Sequence, residues 1–281
     1  MSREAVETVR PIWYHDRSQS LEVMICTINL TKHFGHVRAV EQLNLSIPKG
    51  QFFGFLGPNG AGKTTTIRML TGLLRPTSGQ VIVGGDDSHP GYDMAVEPGK
   101  AKAMTGYVPD QPFLYEKLSG YEFVHFVGGL YDVPPRQVNA KIDYYFSLFG
   151  ISDVAHYLVE SYSHGMRQKV VMTAALVHDP AVLILDEPMV GLDPRSTRLV
   201  KDLLKQKSKE GMTIFLSTHT LDTAEELCDR IGIIQRGHLI ALGTMDELRA
   251  VARDEDHKDR LEAVFLKLTE EEGTEQSLGT P

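Results

Sequence analysis

Residues 51–74 read QFFGFLGPNGAGKTTTIRMLTGLL. The apolar run at its start predicts a short buried strand. Gly57-Pro58-Asn59-Gly60-Ala61-Gly62-Lys63-Thr64 then matches the phosphate-loop pattern GxxxxGK[ST], with Thr65 next in line. Each residue type has a physical task. Glycines let consecutive backbone N–H groups turn inward with no Cβ in the way. The segment after Lys63 predicts a helix with apolar residues at Ile67, Leu70, Leu73 and Leu74, and its positive end faces the bound anion. Lys63 is placed to reach the β- and γ-phosphates, and the Thr64 hydroxyl to ligate Mg²⁺.

The next informative stretch lies downstream. Ala181-Val182-Leu183-Ile184-Leu185-Asp186-Glu187 reads as a fully buried strand ending in two acids. Ligands of parallel α/β sheets bind at that carboxyl edge. There Asp186 can hold the Mg²⁺ shell and Glu187 can deprotonate an attacking water. Around these anchors the chain alternates. Helices are expected at 164–178, 194–208 and 220–229, and strands at 79–85 and 213–217. IGIIQ and HLIALG flank Arg236-Gly237 as a hairpin, and 84–91 reads as a polar surface loop. Residues 106–120 are punctuated by Pro and Gly and predict a loop, and 121–160 carry helical spacing with many aromatics. The strand-rich first fifty residues suggest an antiparallel portion beside a largely parallel sheet.

Composition narrows the class. The chain has 281 residues, 42% hydrophobic and 23% charged, close to ordinary globular usage. That excludes collagen, rods and wholesale disorder. The longest unbroken apolar run, Ala181 to Leu185, is far short of the ~20 residues of a spanning helix. The first twenty residues, with Pro11 and a lone Trp13, lack an apolar signal core, so a cytosolic chain is expected. Cys26 and Cys228, without a CxxC, fit a reducing compartment and no metal site. A net charge of −8 argues against nucleic acid as the partner.

From about 23 to 243 the chain resembles the ATP-binding subunits of ABC transporters. Between the two motifs above, Tyr162-Ser163-His164-Gly165-Met166-Arg167-Gln168-Lys169 aligns with that family's LSGGQ signature. Ser163 and Gly165 match, while Tyr162, His164 and Met166 depart. The resemblance implies that this segment meets the γ-phosphate bound by a second subunit. His164 either points away from that phosphate or faces it. Phe34 falls where an aromatic stacks on adenine, although a core Phe is the competing reading. Asp110 and Gln111 both fall at the family's Q-loop, where one of them touches Mg²⁺ or the water. Gly191-Leu192-Asp193 resembles the loop by which two subunits touch, and His219 the switch histidine on the γ-phosphate. Residues 110–126 hold Phe113, Leu114, Tyr115, Tyr121, Phe123 and Phe126 where such a subunit docks on its permease.

The resemblance implies an α/β fold with a RecA-like ATPase core, an antiparallel β subdomain and a helical subdomain near 112–165. It divides the chain into an N-terminal extension at 1–22, the ATPase domain at 23–243, and a C-terminal helical extension with an acidic tail at 244–281. ATP and Mg²⁺ are the implied cofactors. The implied partners are a second ATPase subunit, identical or paired, and an integral membrane permease on whose cytoplasmic face the chain sits. YSHGMRQK, GLDP and the LEAVFLKLT ending look like the exporter branch with separate permeases. The alternative is a soluble ABC ATPase acting on ribosomes or nucleic acid, which usually carries two cassettes. A GTPase would need an NKxD motif, and none is found.

Overall fold

The computed structural model describes residues 22–86 and 89–251. Pro11, Trp13 and the LEAVFLKLT ending lie outside them. Two sheets share one core. The first is antiparallel: β1 (Val23–Phe34) pairs with β2 (Val37–Pro48) and β4 (Ser78–Val83), and β4 pairs with β5 (Tyr92–Asp93). The second runs β10 (His238–Gly243), β9 (Arg230–Gln235), β3 (Phe52–Leu56), β8 (Thr213–Thr218), β7 (Val182–Asp186), β6 (Thr105–Val108). Its strands are parallel except for the β9–β10 hairpin.

The parallel strands are buried on both faces, so they read as continuous apolar runs instead of alternating. Phe53, Phe55, Ile184 and Phe215 pack toward the antiparallel sheet, against Ile25, Val40 and Val81. Leu183, Leu185, Ile214 and Leu216 face the opposite way, toward the helices. Those are α3 (Gly120–Leu130), α4 (Pro135–Phe149), α5 (His164–Leu176) and α6 (Pro194–Lys209). The other α-helices among the described residues are α1 (Lys63–Leu70), α2 (Pro98–Ala103), α7 (Leu221–Leu227) and α8 (Met245–Val251).

Three local expectations change. The helix after the phosphate loop ends at Leu70, not Leu74. Gly72 adopts φ +66, the left-handed conformation that stops a helix, and the N–H groups of Leu73 and Leu74 fold back onto the Arg68 carbonyl. Leu73 is exposed as a result. Residues 106–108, expected as loop, belong to strand β6 on the edge of the parallel sheet. The short helix α2 carries no apolar periodicity and was not expected.

Helix α3 opens with a reciprocal cap. The Glu122 N–H donates to Ser119 Oγ at 3.2 Å, and the Ser119 N–H donates to Glu122 Oε2 at 2.8 Å. The Ser119 N–H, and after it the Ser119 hydroxyl at 2.8 Å, donate to Oε2 and hold the Glu122 carboxyl below its ordinary pKa. Ser119→Ala leaves a helical donor unpaired, and a loss of about 1 kcal/mol is expected. Thermal denaturation should show a midpoint lower by about 2–4 °C. An unchanged midpoint would show that the cap contributes nothing.

Candidate functional site

Strand register decides what meets at the carboxyl edge of the parallel sheet. Leu56 lies beside Thr218, Asp186 beside Ser217, and Val108 beside Leu185. The residues leaving those strand ends are therefore neighbours: Gly57 after β3, His219 after β8, Glu187 after β7 and Asp110 beyond β6. Hairpin β9–β10 brings Arg236 to the same edge. Asp110, Glu187 and Arg236 line a cavity of about 480 Å³ with Asn59, Gly60, Gly62, Lys63, Thr64, Thr65 and Asp186, while Gly57 and His219 stand outside its lining. That is the size range of small-ligand sites.

The phosphate loop is shaped by close approach. A Cβ at Gly57 would stand 2.3 Å from the Ile234 carbonyl oxygen. At Gly62, with φ +113, it would stand 2.4 Å from that of Ala39. No side chain caps the N-terminus of α1 and its first turn holds no acid, so its N–H groups face the cavity without internal competition. The Lys63 ammonium folds back under the loop and donates to the carbonyls of Gly57 at 2.6 Å and Pro58 at 3.1 Å. Burial pulls its pKa down, and the Glu187 and Asp186 carboxylates pull it back up. Ala61 is buried, and its carbonyl accepts from the Gly237 N–H at 2.9 Å, which ties the loop to the β9–β10 turn.

Asp186 is only 1% exposed, and its Oδ2 has no hydrogen-bond partner among the described residues. Burial raises its pKa, while the Ser217 and Thr64 hydroxyls oppose that rise. A buried carboxylate oxygen left without a donor, with a threonine hydroxyl beside it, is the hard-oxygen pair that suits Mg²⁺. Glu187 sits at φ +49, an uncommon conformation for a non-glycine residue and a strain typical of functional positions. The His219 imidazole donates from Nδ1 to Glu187 Oε1 at 2.8 Å. A carboxylate oriented by an imidazole at a cavity mouth can take a proton from water.

The other expected residues divide. Asp110 lines the cavity, whereas Gln111 is exposed and outside its lining. Phe34 is 49% exposed, which removes the core reading. It is not among the cavity lining residues, and Lys32 stands over its ring at 5.1 Å. Tyr162 requires correction as a nucleotide contact. Its ring is buried among the helices, and its hydroxyl donates to the Val154 carbonyl at 2.5 Å. Ser163 caps α5, its Oγ accepting from the Met166 N–H, and none of residues 162–166 lines this chain's own cavity. His164 turns its ring onto the Val190 carbonyl of its own chain. Asp193 caps α6 by accepting from the Ser196 N–H at 3.0 Å. Sequence reasoning missed Arg38 and Arg236, both on the cavity wall. The strand-edge rule applied to the β9–β10 turn would have found Arg236.

A model of the ABC transporter family matches residues 40–190. The probable multidrug ABC transporter ATP-binding protein YbhF of Escherichia coli (strain K12) is 37% identical over 257 residues. That match covers 91% of this chain and 43% of YbhF, so the chain spans under half of that relative's length. The linearmycin resistance ATP-binding protein LnrL of Bacillus subtilis (strain 168) is 38% identical over 225 residues, covering 80% of this chain and 70% of LnrL. Among solved structures, an ATP binding subunit of an ABC transporter superposes with a TM-score of 0.80 at 27% identity, over 87% of this chain and 99% of that one. The α/β architecture with its phosphate-loop core is shared with that structure. By these matches the chain belongs to the ABC transporter family, among its ATP-binding proteins.

Proposed function

We propose that this chain hydrolyses MgATP to drive a separate membrane permease, as one ATPase subunit of an identical or paired dimer. The observation that carries hydrolysis is the Glu187–His219 pair, held 2.8 Å apart on the sheet edge that also presents Lys63 and Asp186. Lys63 and the backbone N–H groups of Gly57 and residues 59–65 bind the phosphates. Thr64 and Asp186 hold Mg²⁺, with Asp110 on the same wall in the Q-loop role. Bound Mg²⁺ neutralises charge building on the phosphate oxygens. Glu187 takes the proton of the attacking water, and His219 fixes its carboxylate.

The head-to-tail dimer is supported by the signature segment. Ser163 and Gly165 open a helix yet stay out of their own chain's cavity, so they are free for the nucleotide of a partner. Residues 23–243 form the ATPase domain in this reading, with a helical subdomain at about 112–165 and extensions at 1–22 and 244–281.

Transport is supported by a surface. Phe113, Tyr115 and Phe126 are exposed by 77%, 50% and 43%, and their rings stack edge-on, Tyr115 to Phe126 at 5.5 Å. An exposed aromatic cluster is a protein-docking surface. It adjoins Asp110 on the chain, so a docked permease would feel the cavity. No helix among the described residues is long and apolar enough to cross a membrane; in this reading a separate permease supplies the spanning part. The chain then lies on the cytoplasmic face, and the resistance names of its relatives favour export. The net charge of −8 and the aromatic cluster weigh against the ribosome or nucleic-acid reading.

The test is Phe113→Glu in a preparation coexpressed with the permease. Basal ATPase should stay within about twofold, while copurification with the membrane subunit should fall roughly tenfold or more, the effect of losing an aromatic anchor. Undiminished copurification would exclude this surface as the dock.

A further inference from the structure

The signature helix and the turn after Glu187 are fastened together within one chain. His164 and Gln168 are four residues apart on α5 and so project from one helix face. The His164 Nε2–H donates to the Val190 carbonyl at 3.3 Å, and Gln168 Nε2, on a side chain only 2% exposed, donates to the Pro188 carbonyl at 3.3 Å. Gly191, at φ +77, directly follows the Val190 carbonyl. A Cβ there would stand 2.3 Å from His164 Cδ2 and 2.8 Å from Nε2. The imidazole therefore occupies the space that any side chain at 191 would need. Gly165 closes the contact: a Cβ on it would meet the Gly191 carbonyl oxygen at 3.4 Å. The far end of the turn is fixed to the acid, since the Val190 N–H donates to the Glu187 carbonyl at 3.1 Å.

We propose that His164 is a positioning residue whose ring latches the start of α5 to the Val190–Gly191 turn. It makes the segment offered to the partner's nucleotide and the chain's own Glu187 move as one body. This rests on the head-to-tail reading above. A small residue at 164, as the family pattern has, loses this bond and leaves the turn held to α5 by Gln168 and the close approach at Gly165. The histidine is thus the departure that stiffens the link, and it acts through the turn, without touching nucleotide.

The experiment is steady-state ATPase kinetics on the full chain with MgATP. His164→Ala should lower kcat roughly three- to tenfold, the worth of one hydrogen bond and its packing, with KM for ATP within about twofold. His164→Gln keeps an N–H donor of similar reach and should recover most of that loss. Gly191→Ala forces a Cβ against the ring. Its kcat loss should be markedly smaller in the His164→Ala background, because the φ strain is common to both while the collision is not. Melting curves of each variant separate lost fold from lost coupling.

Unchanged kcat in His164→Ala overturns the latch. So does strict additivity of the 164 and 191 changes. A raised KM at constant kcat overturns it in favour of an imidazole that reads the nucleotide. The dimer is tested separately by gel filtration of Glu187→Gln in MgATP. A monomer there overturns the head-to-tail reading, whatever the kinetic cycle gives, and a dimer with an additive cycle overturns the latch alone.

Discussion

Lys63→Ala is expected to remove ATP turnover to below about one part in a thousand and to weaken ATP binding roughly tenfold or more. The argument begins with position. Lys63 is the first residue of α1, and its ammonium is held under the loop by two carbonyls. It is 7% exposed, so the charge acts in a water-poor cradle where Coulomb interactions are strong. Burial already depresses its pKa, and only the nearby Glu187 and Asp186 carboxylates counter that. A triphosphate adds negative charge and makes the ammonium more favourable, so the free protein holds a cation poised for an anion. Alanine keeps the helix and removes the charge together with its two hydrogen bonds to the loop carbonyls. Fluorescent-nucleotide titration and phosphate release measure the two effects. Turnover near that of the parent, with contaminating ATPase excluded, would overturn the assignment.

Legibility of this chain in its sequence follows burial. Val182–Leu185 is buried on both faces of a parallel sheet, and such strands announce themselves as unbroken apolar runs. Strand β6 does not, because it has four residues, one of them glycine, and is followed by Pro109. Its strand character comes from pairing with β7, a contact far along the chain. The acids and the phosphate loop were legible because register needs only strand ends to meet. Side-chain direction was not. Asp110 and Gln111 differ by one step, and the backbone turns the first toward the cavity while the Gln111 N–H donates to the Asp110 carboxylate at 2.8 Å. Tyr162 read as part of a surface motif, yet its ring fills the helical core against Gly120, where an added Cβ would meet its hydroxyl at 2.8 Å. Arg38 and Arg236 carry no motif at all. They reach the cavity because the β9–β10 turn is bonded to β2, the Glu41 N–H donating to the Gly237 carbonyl at 2.9 Å.

Glu187→Gln is expected to slow hydrolysis by about two to four orders of magnitude while ATP still binds. The amide keeps the size of the carboxylate and can still accept from His219 through its oxygen, so the imidazole contact of 2.8 Å need not change. What is lost is the basic oxygen that takes the proton from water. The phosphate loop, Lys63 and Asp186 are untouched, so the γ-phosphate stays engaged and is not consumed. If closure is driven by ATP and released by hydrolysis, the variant should accumulate as a closed dimer in MgATP and revert when nucleotide is removed. His219→Ala gives the complementary result. It leaves the base but frees its orientation, so a smaller loss is expected, with no trapped dimer. The order of the two losses is the informative quantity. A base that depends on its imidazole only for aim loses more when its own basicity is removed than when the aim is relaxed. If turnover survives in Glu187→Gln and gel filtration finds only monomer in MgATP, the proton is taken elsewhere and the strained conformation at 187 serves another purpose.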